Sequence, residues 1–301
     1  MARIASIIGV TMAVVGIIAP RSALSQTPDH ADQGHSHGGE AVSCTTLASP
    51  PWSGLPETDR LQFAALQRTV SGLETPEAAR AAGFNPALGD IPGMGVHYVN
   101  SARSRDGVQP GAPDHLLFVE IDGRERLVGA AYAFVDVPAT EVPIPFQSDL
   151  AKWHDHPEFA GPDQTLHMLH TWFIPSSNGP FAGLNFWLPY LTAGIAPPSS
   201  CWMADEADAD RIRNVSFALV PPRALGRGQP APPATEPSAE RVEILAALDF
   251  AARAVDHDTW VAAADRFLAD LTTFESTRVE FMLRRLMAAQ MSSAERGGVP
   301  N

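Results

Sequence analysis

Four of the ten histidines in this 301-residue chain fall within seventeen positions: His154, His156, His167 and His170. Asp155 and Glu158 lie among them, and the stretch runs on into apolar residues. Neutral imidazole is a borderline ligand that suits copper or zinc, so this spacing points first to metal binding on a packed part of the fold. Pro157 disfavours helix just before it, which makes His154 and His156 extended and places them on one face. Thr165 to Ile174 has the β-branched and aromatic content of a strand. On a strand His167 and His170 point to opposite faces, so only one of them joins a common site unless a bulge re-aims the other. A fifth candidate is His97, which follows the turn Gly93-Met94-Gly95 as the chain becomes extended. It is either a ligand aimed into a pocket or a buried histidine bonded to backbone. The candidate metal set is therefore His97, His170, His167, His154 and His156.

The segment Asp29-His30 to Glu40, with His35 and His37, is a second place for imidazole chemistry. It sits in a polar stretch, residues 26–52, that has almost nothing to bury and is expected to be disordered. Such a tail either captures metal weakly or is a solvated linker. Residues 1–25 read as an export signal: Arg3 opens it, Ile7 to Ala19 is an apolar run too short for a comfortable span, and Ala23-Leu24-Ser25 fits a cleavage site. The expected location is periplasmic or secreted. Signal removal takes away Arg3 and Arg21 and no acid, so the formal charge goes from −13 to −15. That balance argues against nucleic acid and against an anionic membrane surface, and it favours cations. In an oxidising compartment the two cysteines, Cys44 and Cys201, are expected to form one disulfide, with free thiols or a soft metal site as alternatives.

The elements that must position the histidines can be read in order. Phe63, Leu66, Val70 and Leu73 repeat at helical spacing after Pro56, and Thr75-Pro76-Glu77 starts a second helix that stops near Gly83. Both should cover one side of a sheet. His115 to Ile121 and Arg126 to Val137 read as strands joined by a hairpin at Asp122-Gly123. Residues 101–113 read as a polar loop, and Met203 to Arg211 as an acidic, solvated helix or loop. Pro221 to Ala239 is a Pro/Ala-rich linker, and helices follow it, the last opened by a Thr272/Glu275 capping box. The fold class is α+β: a small antiparallel sheet covered by helices (53–220), a linker (221–240) and a helical segment (241–292).

The blocks Gly93-Met-Gly-Val-His97-Tyr-Val-Asn100, Leu166-His-Met-Leu-His170-Thr-Trp172 and Asn178-Gly-Pro-Phe181, with the hairpin between the first two, resemble a family of uncharacterised exported bacterial proteins. The resemblance covers roughly residues 75–202. It implies that His97 and His170 match the family's histidines, with His167 and one of His154 or His156 at further matching positions. The chain departs from that pattern at Gly179, where the turn usually has Pro, and at Ala131, where Glu is frequent. The resemblance supports a site and names no activity.

Sequence motifs for serine hydrolases, zinc proteases, c-type haem, P-loops and dinucleotide folds do not occur. Three readings follow: an exported metal-binding protein; a metalloenzyme with an open position at the metal and Glu120, Asp155, Glu158 or Tyr98 as general base; and a non-catalytic ligand-binding or assembly module in which the histidines are structural and Trp172, Phe173, Phe186 and Trp187 form either a core or the wall of a small-molecule site.

Overall fold

In the computed structural model, the described residues are 47–284 apart from 88–89, 92, 136, 157–164, 178, 199–205, 221–235 and 254–256. The signal, the histidine-rich tail, both cysteines, Glu158 and the linker up to residue 235 lie outside them. The described residues all belong to one compact unit. No helix among the described residues is long and apolar enough to cross a membrane.

The centre is a six-stranded antiparallel sheet of order β1-β2-β3-β4-β6-β5. Its strands are β1 (Asn85–Pro86), β2 (Val96–Val99), β3 (His115–Ile121), β4 (Arg124–Val135), β5 (His154–Asp155) and β6 (Leu166–Trp172). Asp122 and Gly123, both at positive φ, make the tight β3–β4 turn that the Asp-Gly pair requires. The protein is α+β, as expected. The register shifts between Leu117 and Phe118, whose β4 partners are Gly129 and Leu127, so Val128 is bulged out. A bulge bends the strand and increases local twist.

Period-2 alternation sorts the side chains. One face carries Tyr98, Leu116, Phe118, Ala130, Tyr132 and Leu169, and it packs with Phe63, Leu66 and Val70 of α1 (Glu57–Val70). Helix α2 (Pro76–Ala81) adds Ala79 to the same core, its first turn capped by the Thr75 hydroxyl, which accepts from Ala78 N at 3.2 Å. These are the two helices read from the sequence, and both cover one side of the sheet, as expected. The polar loop reading of 101–113 needs correction. Asn100 Oδ1 accepts from Ala102 N and Arg103 N at 3.1 and 3.2 Å and starts a short helix, α3 (Ser101–Arg105). An Asn cap supplies the acceptors that a polar stretch otherwise seeks from water.

The opposite face carries Leu117, Val119, Trp172 and four histidines, His97, His115, His154 and His170, and it is crossed by the chain from Ile174 to Ile195, which includes α4 (Leu188–Thr192). Phe186, Trp187 and Tyr190 of this crossing enter a second core with α5 (Glu206–Ala218), α6 (Ala239–Arg253), α7 (His257–Ala269) and a last helix, α8 (residues 273–284). The capping box forms: Thr272 N donates to Glu275 Oε2 at 2.9 Å, and Glu275 N to Thr272 Oγ1 at 3.3 Å. Helix α5 is not merely solvated. Asp208 is 2 % exposed and is paired with Arg211 and His257, which is how an acidic segment packs against α7.

Asp59 of α1 fixes the loop that leads to the histidine stretch. Its buried carboxylate accepts from Gln147 N at 2.8 Å and Ser148 N at 2.7 Å. Replacing it leaves two donors without their charged acceptor, so Asp59→Ala is expected to cost about 3 kcal/mol in urea unfolding. A loss under 1 kcal/mol would show that the loop is held by other contacts.

Candidate metal site

The histidine face is assembled by strand register. His115 pairs with Ala131, and Ala131 with His170; His97 pairs with Leu117, and Leu117 with Gly129; His154 pairs with Met168. His97, His115, His170 and His154 therefore share one side of the sheet, and His156 joins them, its ring 4.9 Å from that of His154. A flat sheet would hold β2 and β6, three strands apart, about 14 Å from one another. Yet His97 Nε2 lies 3.4 Å from His170 Nε2. The sheet must curl towards this face to bring them together. Two features serve that curl. One is the bulge at Val128. The other is Gly129, where a Cβ would stand 2.6 Å from Thr171 O and 3.0 Å from Leu117 Cδ1. Ala131, between His115 and His170, leaves room for the imidazoles to lean over β4.

The ring nitrogens of His154, His156 and His170 lie within 4.8 Å of one another, close enough to bind one metal ion. Ring centroids are 4.9 Å apart for His154–His156, 4.8 Å for His154–His170 and 5.9 Å for His156–His170. Imidazoles around a shared tetrahedral ion have centroids about 5 Å apart, from metal–nitrogen bonds of about 2.0 Å. His170 and His156 are buried and His154 half-buried.

The crossing chain orients this group through its backbone. His170 Nδ1 is 2.8 Å from Gly183 O, so that nitrogen carries the proton and Nε2 keeps its lone pair. Trp172 Nε1 donates to Ala182 O at 2.7 Å, and Trp172 N to Pro180 O at 2.7 Å, so three groups of β6 take the carbonyls of residues 180, 182 and 183 in the same segment. Asn185 holds the far end: its backbone N donates to Gly93 O at 2.8 Å, and its amide bridges Pro175 O and Trp187 N. Gly95, at φ 73°, has Phe118 O 2.5 Å from where a Cβ would be, so only glycine lets the chain turn into β2 and deliver His97.

The two central imidazoles are uncharged in the metal-free protein. Burial holds His97 well below its ordinary value, and His115, His156 and His154 push the same way against a hydrogen bond to the Gly95 backbone. Burial likewise lowers His170, with His154, His97 and His156 adding to it against the Gly183 carbonyl. Among the described residues, the group of ligand atoms is made of imidazoles alone.

The structure brings His97, His154, His156 and His170 together and leaves His167 out. His167 faces the other side of β6, stacks on Phe134 at 4.9 Å and has Nδ1 2.6 Å from Asp155 Oδ1. This is the outcome that alternation on a regular strand dictates: no bulge falls between His167 and His170. The Asp155 carboxylate is thereby turned away from the histidines on either side of it. Sequence reasoning passed over His115, whose ring is 6.0 Å from that of His97 and whose Nδ1 is 3.1 Å from Asp114 Oδ1. The available signal was its place at the head of a strand antiparallel to the one bearing His97. Among the proposed general bases, Tyr98 lies in the opposite core and accepts from Arg80 at 3.1 Å, and Glu120 alternates onto that same side of β3. The aromatic wall also divides: Phe173 packs with Phe63 on the α1 side, Trp172 with Leu117, and Phe186 and Trp187 with the C-terminal helices.

Comparison with protein-family models, with curated proteins and with solved structures finds no match to the chain.

Two outcomes follow from this geometry. A Cβ on Gly183 would sit 3.3 Å from the His154 ring, close enough to displace that ring by a few tenths of an ångström. Gly183→Ala is expected to weaken metal binding about tenfold with little loss of fold, measured by competition with a chromophoric chelator; unchanged affinity would mean that His154 needs no such support. The second concerns pH. Unfolded imidazoles take up protons near pH 6.5, whereas the folded His97 and His170 resist them, so the unfolded state binds more protons in acid and stability is lost as pH falls below 6.5. For two histidines the loss between pH 7.5 and 5.5 is at most about 3 kcal/mol. Urea midpoints of the metal-free chain across that range check it, and a flat profile would contradict the uncharged assignment.

Proposed function

We propose that this chain is an exported protein that holds a transition-metal ion, zinc or copper, in its α+β domain through His154, His156 and His170. The observation that carries the reading is the convergence of three ring nitrogens within 4.8 Å on a buried face. Two further facts support it: Gly183 O fixes the metal-ready tautomer of His170, and the chain carries a net charge of −13 that attracts cations. The apolar, cleavable-looking start of the chain and the resemblance of its Gly93–Asn100 and Leu166–Trp172 blocks to exported bacterial proteins favour a periplasmic or secreted site of action. The histidines of residues 30–37 would raise the local metal concentration and pass the ion inward. Holding is favoured over catalysis because Tyr98, Glu120 and Asp155, the described acid–base candidates, face away from the histidines.

The test is metal content after native purification of three forms: the full-length chain, a form lacking residues 26–42, and a His154→Ala/His156→Ala variant. The tail-less form is expected to keep close to one ion per chain. The double variant is expected to lose it, since a structural ligand is worth about 3 kcal/mol, or roughly 100-fold in affinity, when four share the usual zinc binding energy. Metal that disappears with the tail, or a wild-type chain that binds none, would overturn the reading.

A further inference from the structure

A metal ion and a hydrogen bond from His97 need the same atom of His170. We propose that His97 is the metal's competitor: its N–H occupies the His170 lone pair in the metal-free chain and retakes it as an ion leaves, so that the site exchanges metal readily. This rests on the three-histidine site proposed above and names what regulates its filling.

The proton positions follow from one carbonyl. Gly183 O lies 2.8 Å from His170 Nδ1, and a carbonyl can only accept, so Nδ1 holds the single ring proton of a neutral imidazole. His170 Nε2 is then an acceptor with one lone pair. Its partner at 3.4 Å is His97 Nε2, which must be the donor. The three-histidine group draws on the same His170 nitrogen, because Nδ1 is committed to Gly183. One lone pair serves either an N–H or an ion, so each excludes the other.

The fold keeps the competitor close. The two ring centroids are 5.5 Å apart, His97 is 2 % exposed and His170 is fully buried. Gly95, required by its contact with Phe118 O, sets the turn into β2, and Asn185 N holds that turn through Gly93 O at 2.8 Å. The segment whose Gly183 orients His170 thus also anchors the turn that carries His97. A buried N–H that loses its acceptor is costly, since water does not reach it as a replacement. Metal binding carries that cost in this chain. A ring of similar size without the N–H would be free of it.

The test compares zinc(II) binding by the full wild-type chain and its His97→Phe variant, by competition with a chromophoric chelator. The variant is expected to bind zinc about tenfold more tightly, and to release it to the chelator correspondingly more slowly. Unchanged affinity would show that no bond to His97 is broken on binding, and weaker affinity would make His97 a support of the site; either overturns the competition while leaving the three-histidine site intact. A wild-type chain that takes up no zinc would remove the site and this inference with it. Should His97→Phe fail to fold, ¹⁵N NMR of the wild-type imidazoles decides. His97 Nε2 is expected to carry a proton and His170 Nε2 none in the metal-free chain, and the His97 Nε2–H signal is expected to shift when one equivalent of zinc binds. An unprotonated His97 Nε2, or a signal that zinc leaves unmoved, would overturn the proposal.

Discussion

Burying His97 and His170 against one another and against neighbouring imidazoles holds both in the neutral form, and that constraint shapes the rest of the molecule. Charged imidazoles at these separations would repel one another in a medium that screens poorly, so the face must be closed from water and its hydrogen-bond geometry fixed. The segment from Ile174 to Ile195 does both. It lays the carbonyls of residues 180, 182 and 183 along β6, the last of which sets the tautomer of His170, and its aromatic residues extend into the core of the C-terminal helices. Those helices are thus more than an appendage. Ala196 N donates to Asp249 of α6, and Phe186, Trp187 and Tyr190 are shared between the cover of the histidine face and the helical core.

The curl of the sheet is the second element of the arrangement. Long-range pairing places His97 and His170 on the same side but three strands apart, a distance that side chains alone do not span. The bulge at Val128 and the absence of a side chain at Gly129 let β4 bend and approach β6 closely, so one local irregularity converts a row of separate histidines into a cluster. His167 and Asp155 form the counterpart on the other side: their 2.6 Å pair ties β5 to β6 and keeps the acid out of the imidazole group. Asp59, holding the loop ahead of β5 from below, completes the framing of this short edge strand.

Much of this was legible in local sequence. The α+β class, helices α1 and α2, the Asp122-Gly123 hairpin, the strand containing His167 and His170 and the capping box at Thr272 all follow from periodicity, turn chemistry and capping residues, which act over a few positions. So did the rule that His167 and His170 cannot both face one ion. The short helix α3 and the burial of Asp208 were not legible, because each depends on a partner: an Asn side chain folded back on its own backbone in one case, and Arg211 with His257 in the other.

By itself, then, the sequence determined which residues have metal-binding chemistry and which faces of their own strands they occupy, because side-chain alternation is a property of each strand alone. Tertiary structure decided which histidines meet. Strand order, the antiparallel register that aligns His115 with His170 through Ala131, and the curl that closes the gap to His97 are relations between segments far apart in the chain. No local propensity encodes them; they are set by burying both faces of the sheet at once, one under α1 and the other under the crossing segment.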